Sequence, residues 1–182
     1  EIYNNESITM LKGPDKVRKR PGVIFGSDGV DGCAHSVFEI VSNSIDEARS
    51  GFGDKIIVTQ YNDHSITVED LFCELYAGGK YNADGDNYAY SLGLNGLGLC
   101  ATQFSSAYMD VEIYRDGFCY ELHFEKGINI GGLRKTPVKT KKTGTKIHWL
   151  PDLEVFTEIS IPSEYFRDVL KRQAVVNPNL LF

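Results

Sequence analysis

The segment DVEIYRDGFCYELHFEKG, residues 110–127, leaves the chain little choice but a β-hairpin. Apolar and polar residues alternate on both sides of Asp116-Gly117, so each flanking run has one apolar and one polar face. An Asp-Gly pair between two such runs signals a two-residue type I′ turn, whose two central positions both need positive φ. KIIVTQY (55–61) and SITVED (65–70) read as two more strands, joined by the polar turn Asn62-Asp63-His64. TGTKIHWLP (143–151) is a further strand.

The remaining periodic segments are helical. A short helix follows Pro14, with proline in its first turn. A long one runs from about Gly32 to Ser50 and is ended by Gly51 and Gly53. LFCELYAGG (71–79) reads as a helix ending at Gly78-Gly79, and NADGDN (82–87) as a polar loop. GLGLCATQFSSAY (96–108) opens a helix behind a glycine-rich entry, and PSEYFRDVLKRQAVV (162–176) is a helix with Pro162 near its start and Pro178 beyond its end. The order is not a strict βαβ alternation. It predicts an α/β fold, a two-layer sandwich with a mixed, mainly antiparallel sheet and helices on one face. A length of 182 residues predicts a single domain over 1–182, with an N-terminal arm at about 1–13.

A net charge of -6 argues against a nucleic-acid binder acting alone. Two basic runs, KVRKRP (16–21) and RKTPVKTKKTGTK (134–146), read most simply as solvated segments. The four cysteines, Cys33, Cys73, Cys100 and Cys119, form no C-x-x-C pair and no His-Cys metal spacing. They read as reduced thiols of a cytoplasmic protein. No apolar run approaches membrane-span length, no signal-peptide pattern is present, and the start at Glu1 suggests a trimmed chain.

Candidate chemistry begins in FEIVSNSIDEA (38–48). At ~100° per residue, Val37, Val41, Ile45 and Ala48 fall on one side of the helix, and Glu39, Asn43, Asp46 and Glu47 on the other. A solvated face is the plain reading. A mid-helix Asn is a poor helix former, however, and a carboxylate with an amide one turn later also suits a ligand. SLGLNGLGLC (91–100) contains G-x-x-G-x-G at Gly93, Gly96 and Gly98, which is neither the dinucleotide fingerprint nor a P-loop. It is either a plain loop or a stretch whose backbone N–H groups approach an anion, with Lys80 as an added charge. Asp70 is either a strand-end carboxylate in water or a buried acceptor for an exocyclic amine.

Taken in order, these segments resemble the ATPase domain of the bacterial type II topoisomerases, the group of the DNA gyrase B subunit and its topoisomerase IV counterpart, within the wider set of Hsp90, MutL and histidine kinases. YNNESITMLKGPDKVRKRPG (3–22) resembles the family's arm and first helix, and FEIVSNSIDEA its first nucleotide-binding box. AGGKY (77–81) followed by GLNGLG (93–98) resembles the ATP lid, and KTGT (142–145) with PDLEVFT (151–157) the closing elements.

The resemblance implies ATP and Mg²⁺ as cofactors. Glu39 would be the general base that polarises the attacking water, and Asn43 would hold Mg²⁺ against the phosphates. Asp70 would accept the adenine amine, with Thr145 nearby through water. Gly78, Gly79, Lys80 and the backbone of Gly93, Leu94, Asn95, Gly96, Leu97 and Gly98 would cradle the phosphates. Tyr3 would reach the nucleotide of a second copy in a dimer. The parent protein would couple ATP binding and hydrolysis to dimer closure and DNA strand passage, working with a DNA-cleaving A-type subunit, and its ATP site would take inhibitors. A MutL-like repair ATPase, or a nucleotide-binding module without turnover, is the alternative.

The chain also departs from the pattern. The family's D-x-G-x-G loop and the Arg, Ile and Pro after it are missing, since Asp70 runs straight into LFCELYAGGK; this reads as a deletion of a mobile loop. Glu121 stands where several gyrase B subunits have Arg, and Ser42 replaces a common acid. The following domain, which supplies a γ-phosphate lysine, is expected to be absent, along with the DNA-cleaving parts. This chain alone is therefore expected to be a monomeric binder with little ATPase activity and no useful DNA affinity.

Overall fold

The computed structural model describes residues 13–72, 97–140 and 143–182. Helices α1 (Asp15–Arg18), α2 (Pro21–Phe25) and α3 (Val30–Glu47) come first, and α3 runs into a π-helical turn at Ala48–Phe52. Strands β1 (Lys55–Gln60) and β2 (Ile66–Phe72) follow. After α4 (Leu97–Phe104) come β3 (Ser106–Arg115), β4 (Phe118–Glu125), β5 (Ile128–Asn129), β6 (Arg134–Pro137) and β7 (Thr143–Pro151), and then α5 (Ser163–Val176).

The seven strands form one sheet in the order β1-β2-β7-β3-β4-β5, with β6 also pairing with β4. Every named pairing is antiparallel. Strand β7, distant in sequence, is inserted between the two hairpins and joins them into one surface. The β3–β4 turn is the one the sequence predicts, with Asp116 at φ 51° and Gly117 at φ 78°.

Register divides the sheet into two faces. Val68, Ile147, Val111 and Leu122 are successive cross-strand partners, as are Ile66, Trp149 and Met109 in the next row. All are buried, and Trp149 is completely so. They meet the apolar stripe of α3, where Val37, Ile40, Val41, Ile45 and Ala48 are buried. The helix stripe has period 3.6 and the strand rows period 2, and together they account for the two-layer packing. Truncating a side chain such as Trp149 in such a core costs about 3–5 kcal/mol.

Two expectations change, and one helix appears that the sequence analysis does not include. Leu71 and Phe72 continue β2 instead of starting a helix, because they keep pairing with Gly144 and Thr143 of β7; the rest of that predicted helix lies outside the described residues. The long helix is α-helical over Val30–Glu47 only, and the π turn, with Gly51 in the left-handed region, takes up its last residues. The PGVIF segment forms α2, with Pro21 at its first position and left-handed Gly26 after its end, although five residues are too few to show a period.

The basic run 134–146 is partly strand, since β6 and the start of β7 lie within it. Its β6 part is solvated, exposed throughout, whereas the residues that open β7 are partly buried. Lys135 Nζ sits 4.1 Å above the Phe118 ring, and Arg134 pairs with Glu121 at 3.4 Å. Charged side chains of this kind protect a sheet edge from further pairing. No helix among the described residues is long and apolar enough to cross a membrane.

Candidate functional site

The helix-facing row of the sheet changes character at one end. Beyond Ile66 and Val68 the next residue of that row is Asp70, paired in register with Thr145 of β7 and Ile56 of β1. Its side chain is buried, at 7% exposure. The Thr145 backbone N–H donates a 2.7 Å hydrogen bond to Asp70 Oδ1. Burial pushes the Asp70 carboxyl up to about 6 from an ordinary value near 3.8; the Thr145 bond opposes that shift, and the charges of Glu47 and Glu69 add to it. Glu47 is the last residue of α3, which packs against β2.

Gly144 permits the close approach. A Cβ there would lie 2.3 Å from the Asp70 carbonyl oxygen, and its φ of 155° is one that L side chains rarely adopt. The T-G-T pattern that opens β7 thus has a steric cause in the β2–β7 pairing. A cavity of about 310 Å³ also opens at this end, lined by Asp70 and Thr145 together with Glu69, Leu71, Glu112, Tyr114 and Lys146. The last five alternate in register with Asp70 and Thr145, so the cavity draws its lining from both faces of this end of the sheet.

Glu39 and Asn43 lie one turn apart on α3, both half-buried. The amide Nδ2 of Asn43 is buried without a hydrogen-bond partner among the described residues. Leaving such a donor unpaired costs about 1–3 kcal/mol, so the position suits a bound acceptor. The Asn43 side-chain carbonyl is an oxygen ligand of the type Mg²⁺ takes beside phosphates. Glu39 has a partner that sequence reasoning missed: His35 Nε2 lies 3.0 Å from Glu39 Oε1, one turn earlier. An i, i+4 His-Glu spacing was the available signal. Asp46 is exposed, and its backbone carbonyl accepts a 2.9 Å bond from Ser50 Oγ.

Helix α4 begins at Leu97 and Gly98, which places the last two residues of the glycine segment at a helix N-terminus. Tyr3, Gly78, Gly79, Lys80, Gly93, Leu94, Asn95 and Gly96 lie outside the described residues. Glu121 lies in the row next to Asp70's, opposite Glu112, and faces away from the helices. The structure therefore brings Asp70, Thr145 and Glu47 together at one end of the sheet, and sets Glu39, Asn43 and His35 along the helix that covers it.

No protein-family model matches the chain. Among curated proteins it is 42% identical to the B subunit of DNA topoisomerase 4 from Staphylococcus epidermidis, over 85% of this chain and 26% of that protein. It is 38% identical to the B subunit of DNA gyrase from Treponema denticola, over 87% of this chain and 28% of that protein. It is also 38% identical to the B subunit of DNA topoisomerase 4 from Streptococcus pneumoniae, over 98% of this chain and 30% of that protein. This last match runs over 199 positions against a chain of 182 residues, so the relative carries residues with no counterpart here. The chain spans between about a quarter and a third of the relatives it matches. By sequence and fold, it belongs to the family of the DNA gyrase and DNA topoisomerase 4 B subunits.

Proposed function

We propose that the chain binds ATP between α3 and the Asp70 end of the sheet, and that in the whole protein this binding and the ensuing hydrolysis drive dimer closure and DNA strand passage. The observation that carries the reading is the buried Asp70 carboxylate, held by Thr145 and facing the helix that bears Glu39 and Asn43. A buried carboxylate at the end of an otherwise apolar row suits one polar contact, such as an exocyclic amine.

The remaining roles follow from position. Thr145 fixes the Asp70 carboxylate so that its free lone pairs point at the ring. The buried amide of Asn43 offers a donor to a phosphate oxygen and a carbonyl to Mg²⁺. When bound, Mg²⁺ neutralises the phosphate charge that builds up during transfer. Glu39 accepts a proton from the attacking water, and His35 orients the carboxylate that does so. The N-terminus of α4 directs unpaired N–H groups towards the phosphates. In the whole protein the partners are DNA, an A-type subunit and a second copy of the ATP-binding chain.

Competition decides between this reading and a scaffold role. ATP and an aminocoumarin should displace one another from the chain with simple competitive behaviour in a fluorescence titration. Independent binding of the two, or no binding of either, would contradict it.

A further inference from the structure

Among the contacts that hold helix α4 to the rest of the molecule are two long-range side-chain anchors, and neither belongs to the nucleotide-facing residues described above. The first is Thr102, fully buried in the middle of the helix. Its Oγ1 donates a 2.7 Å hydrogen bond to the backbone carbonyl of Ser36 on α3. Ser36 is itself buried and lies one turn before Glu39. The second is Arg18 of α1, whose guanidinium sits at the other end of the same helix. Its Nη1 donates to the Phe104 carbonyl at 3.0 Å and to the Ser106 carbonyl at 3.4 Å, capping the last turn of α4. Its Nη2 donates to Asp152 Oδ2 at 2.5 Å and to Glu154 Oε2 at 3.2 Å, just beyond β7.

These contacts differ in kind from ordinary core packing. The guanidinium joins four acceptors through its planar fork, and such charge-assisted bonds are directional. The side chain is only 13% exposed, so solvent does not screen it much. A cation at the C-terminal end also complements the helix dipole. The bond from Thr102 to Ser36 crosses directly between the two helices at a site closed to water, so breaking it carries a desolvation cost. Together they hold the middle of α4 against α3 and its C-terminal end against α1.

We propose that Arg18 and Thr102 are positioning residues, which hold the phosphate-facing end of α4 in register with the Glu39–Asn43 face of α3. The inference rests on the ATP-binding reading given above. It predicts a division of labour: adenine is held by Asp70 at the sheet end, so loosening α4 weakens the phosphate contacts and leaves the adenine contact intact. A purely structural role would lower the melting temperature and affect both ligands alike.

The test is calorimetric titration of the chain with Mg-ATP and, separately, with adenosine. The parent chain should bind ATP more tightly than adenosine. Thr102→Val, which keeps the shape and removes the hydroxyl, should reduce that preference about fivefold or more, the lower end of the usual range for coupled sites. Adenosine affinity should stay within error. Thr102→Ser should restore the preference, and Arg18→Lys should reduce it as Thr102→Val does, because an ammonium cannot reproduce the fork. An unchanged ATP-to-adenosine preference in folded Thr102→Val would overturn the inference and leave the ATP reading standing. Equal affinities for both ligands in the parent chain would overturn the ATP reading itself and the inference with it. If Thr102→Val does not fold, the Arg18→Lys comparison gives the decision alone.

Discussion

The backbone N–H of Thr145 donates a 2.7 Å hydrogen bond to Asp70 Oδ1 across the β2–β7 pairing, at the point where the helix-facing row of the sheet stops being apolar. One bond from a neighbouring strand satisfies part of a buried carboxylate, and under the proposed function the rest serves the ligand. Most of the expected behaviour of the site follows from this pair.

The first expectation concerns pH. The Asp70 carboxyl is raised to about 6 in the folded chain, from about 3.8. Between those values the folded state binds more protons than the unfolded one, so the free chain loses stability as pH rises through this window. Asp70→Asn keeps an acceptor for Thr145 and removes the ionisation. Its stability advantage over the parent should therefore grow from pH 4 to pH 6 and level off above, as read from denaturation midpoints. A ligand N–H favours the ionised form, so inhibitor affinity should fall as pH drops below about 6, with proton release on binding. Calorimetry in two buffers of different ionisation enthalpy measures that release.

The second concerns Glu39. In the full-length protein, Glu39→Gln should bind nucleotide normally and lose about 10²–10⁴-fold in turnover, the usual cost of removing a general base. His35→Ala should lose less, because it orients the carboxylate without replacing it. Steady-state phosphate release alongside nucleotide titration separates the two effects. Parent-like turnover in Glu39→Gln would reduce the stripe to a polar face.

Two glycines are expected to tolerate no side chain. A Cβ at Gly144 would meet the Asp70 carbonyl oxygen at 2.3 Å, and one at Gly32 would meet the Ser27 carbonyl oxygen at 1.9 Å. Both obstacles are backbone and cannot swing aside. Alanine at either position should destabilise the chain by at least about 1–3 kcal/mol, the range for overpacked sites. Gly144→Ala should also weaken nucleotide binding, since it forces β7 away from Asp70. Urea unfolding followed by ligand titration checks both parts.

Much of this was legible in the residues, for identifiable reasons. The strand at 143–151 and the β3–β4 hairpin announced themselves through alternation and an Asp-Gly turn, both local signals. The α3 stripe was legible because Val37, Val41 and Ile45 repeat at helical spacing, and all three are buried. What was lost depended on partners far away in the chain. Leu71 and Phe72 look helical alone and become strand because β7 continues alongside them. β6 is held by β4 and by Lys135 stacked on Phe118, and nothing in its own exposed residues announces a strand. At the site, Asp70 and Asn43 stood out by type and place, and the family resemblance assigned their roles. The anchoring of α4 through Arg18 joins residues 86 and 134 positions apart, which no local pattern displays.

The most direct test of the account is calorimetric titration of ATP, and of a competitive ATP-site inhibitor, into the parent chain and into Asp70→Ala. The buried carboxylate is the element on which the proposed orientation depends. Its loss should leave a ligand N–H unpaired and cost about 1–3 kcal/mol, roughly 5- to 150-fold in affinity. A folded Asp70→Ala chain that binds both ligands as tightly as the parent would contradict the assignment of this end of the sheet as the adenine site.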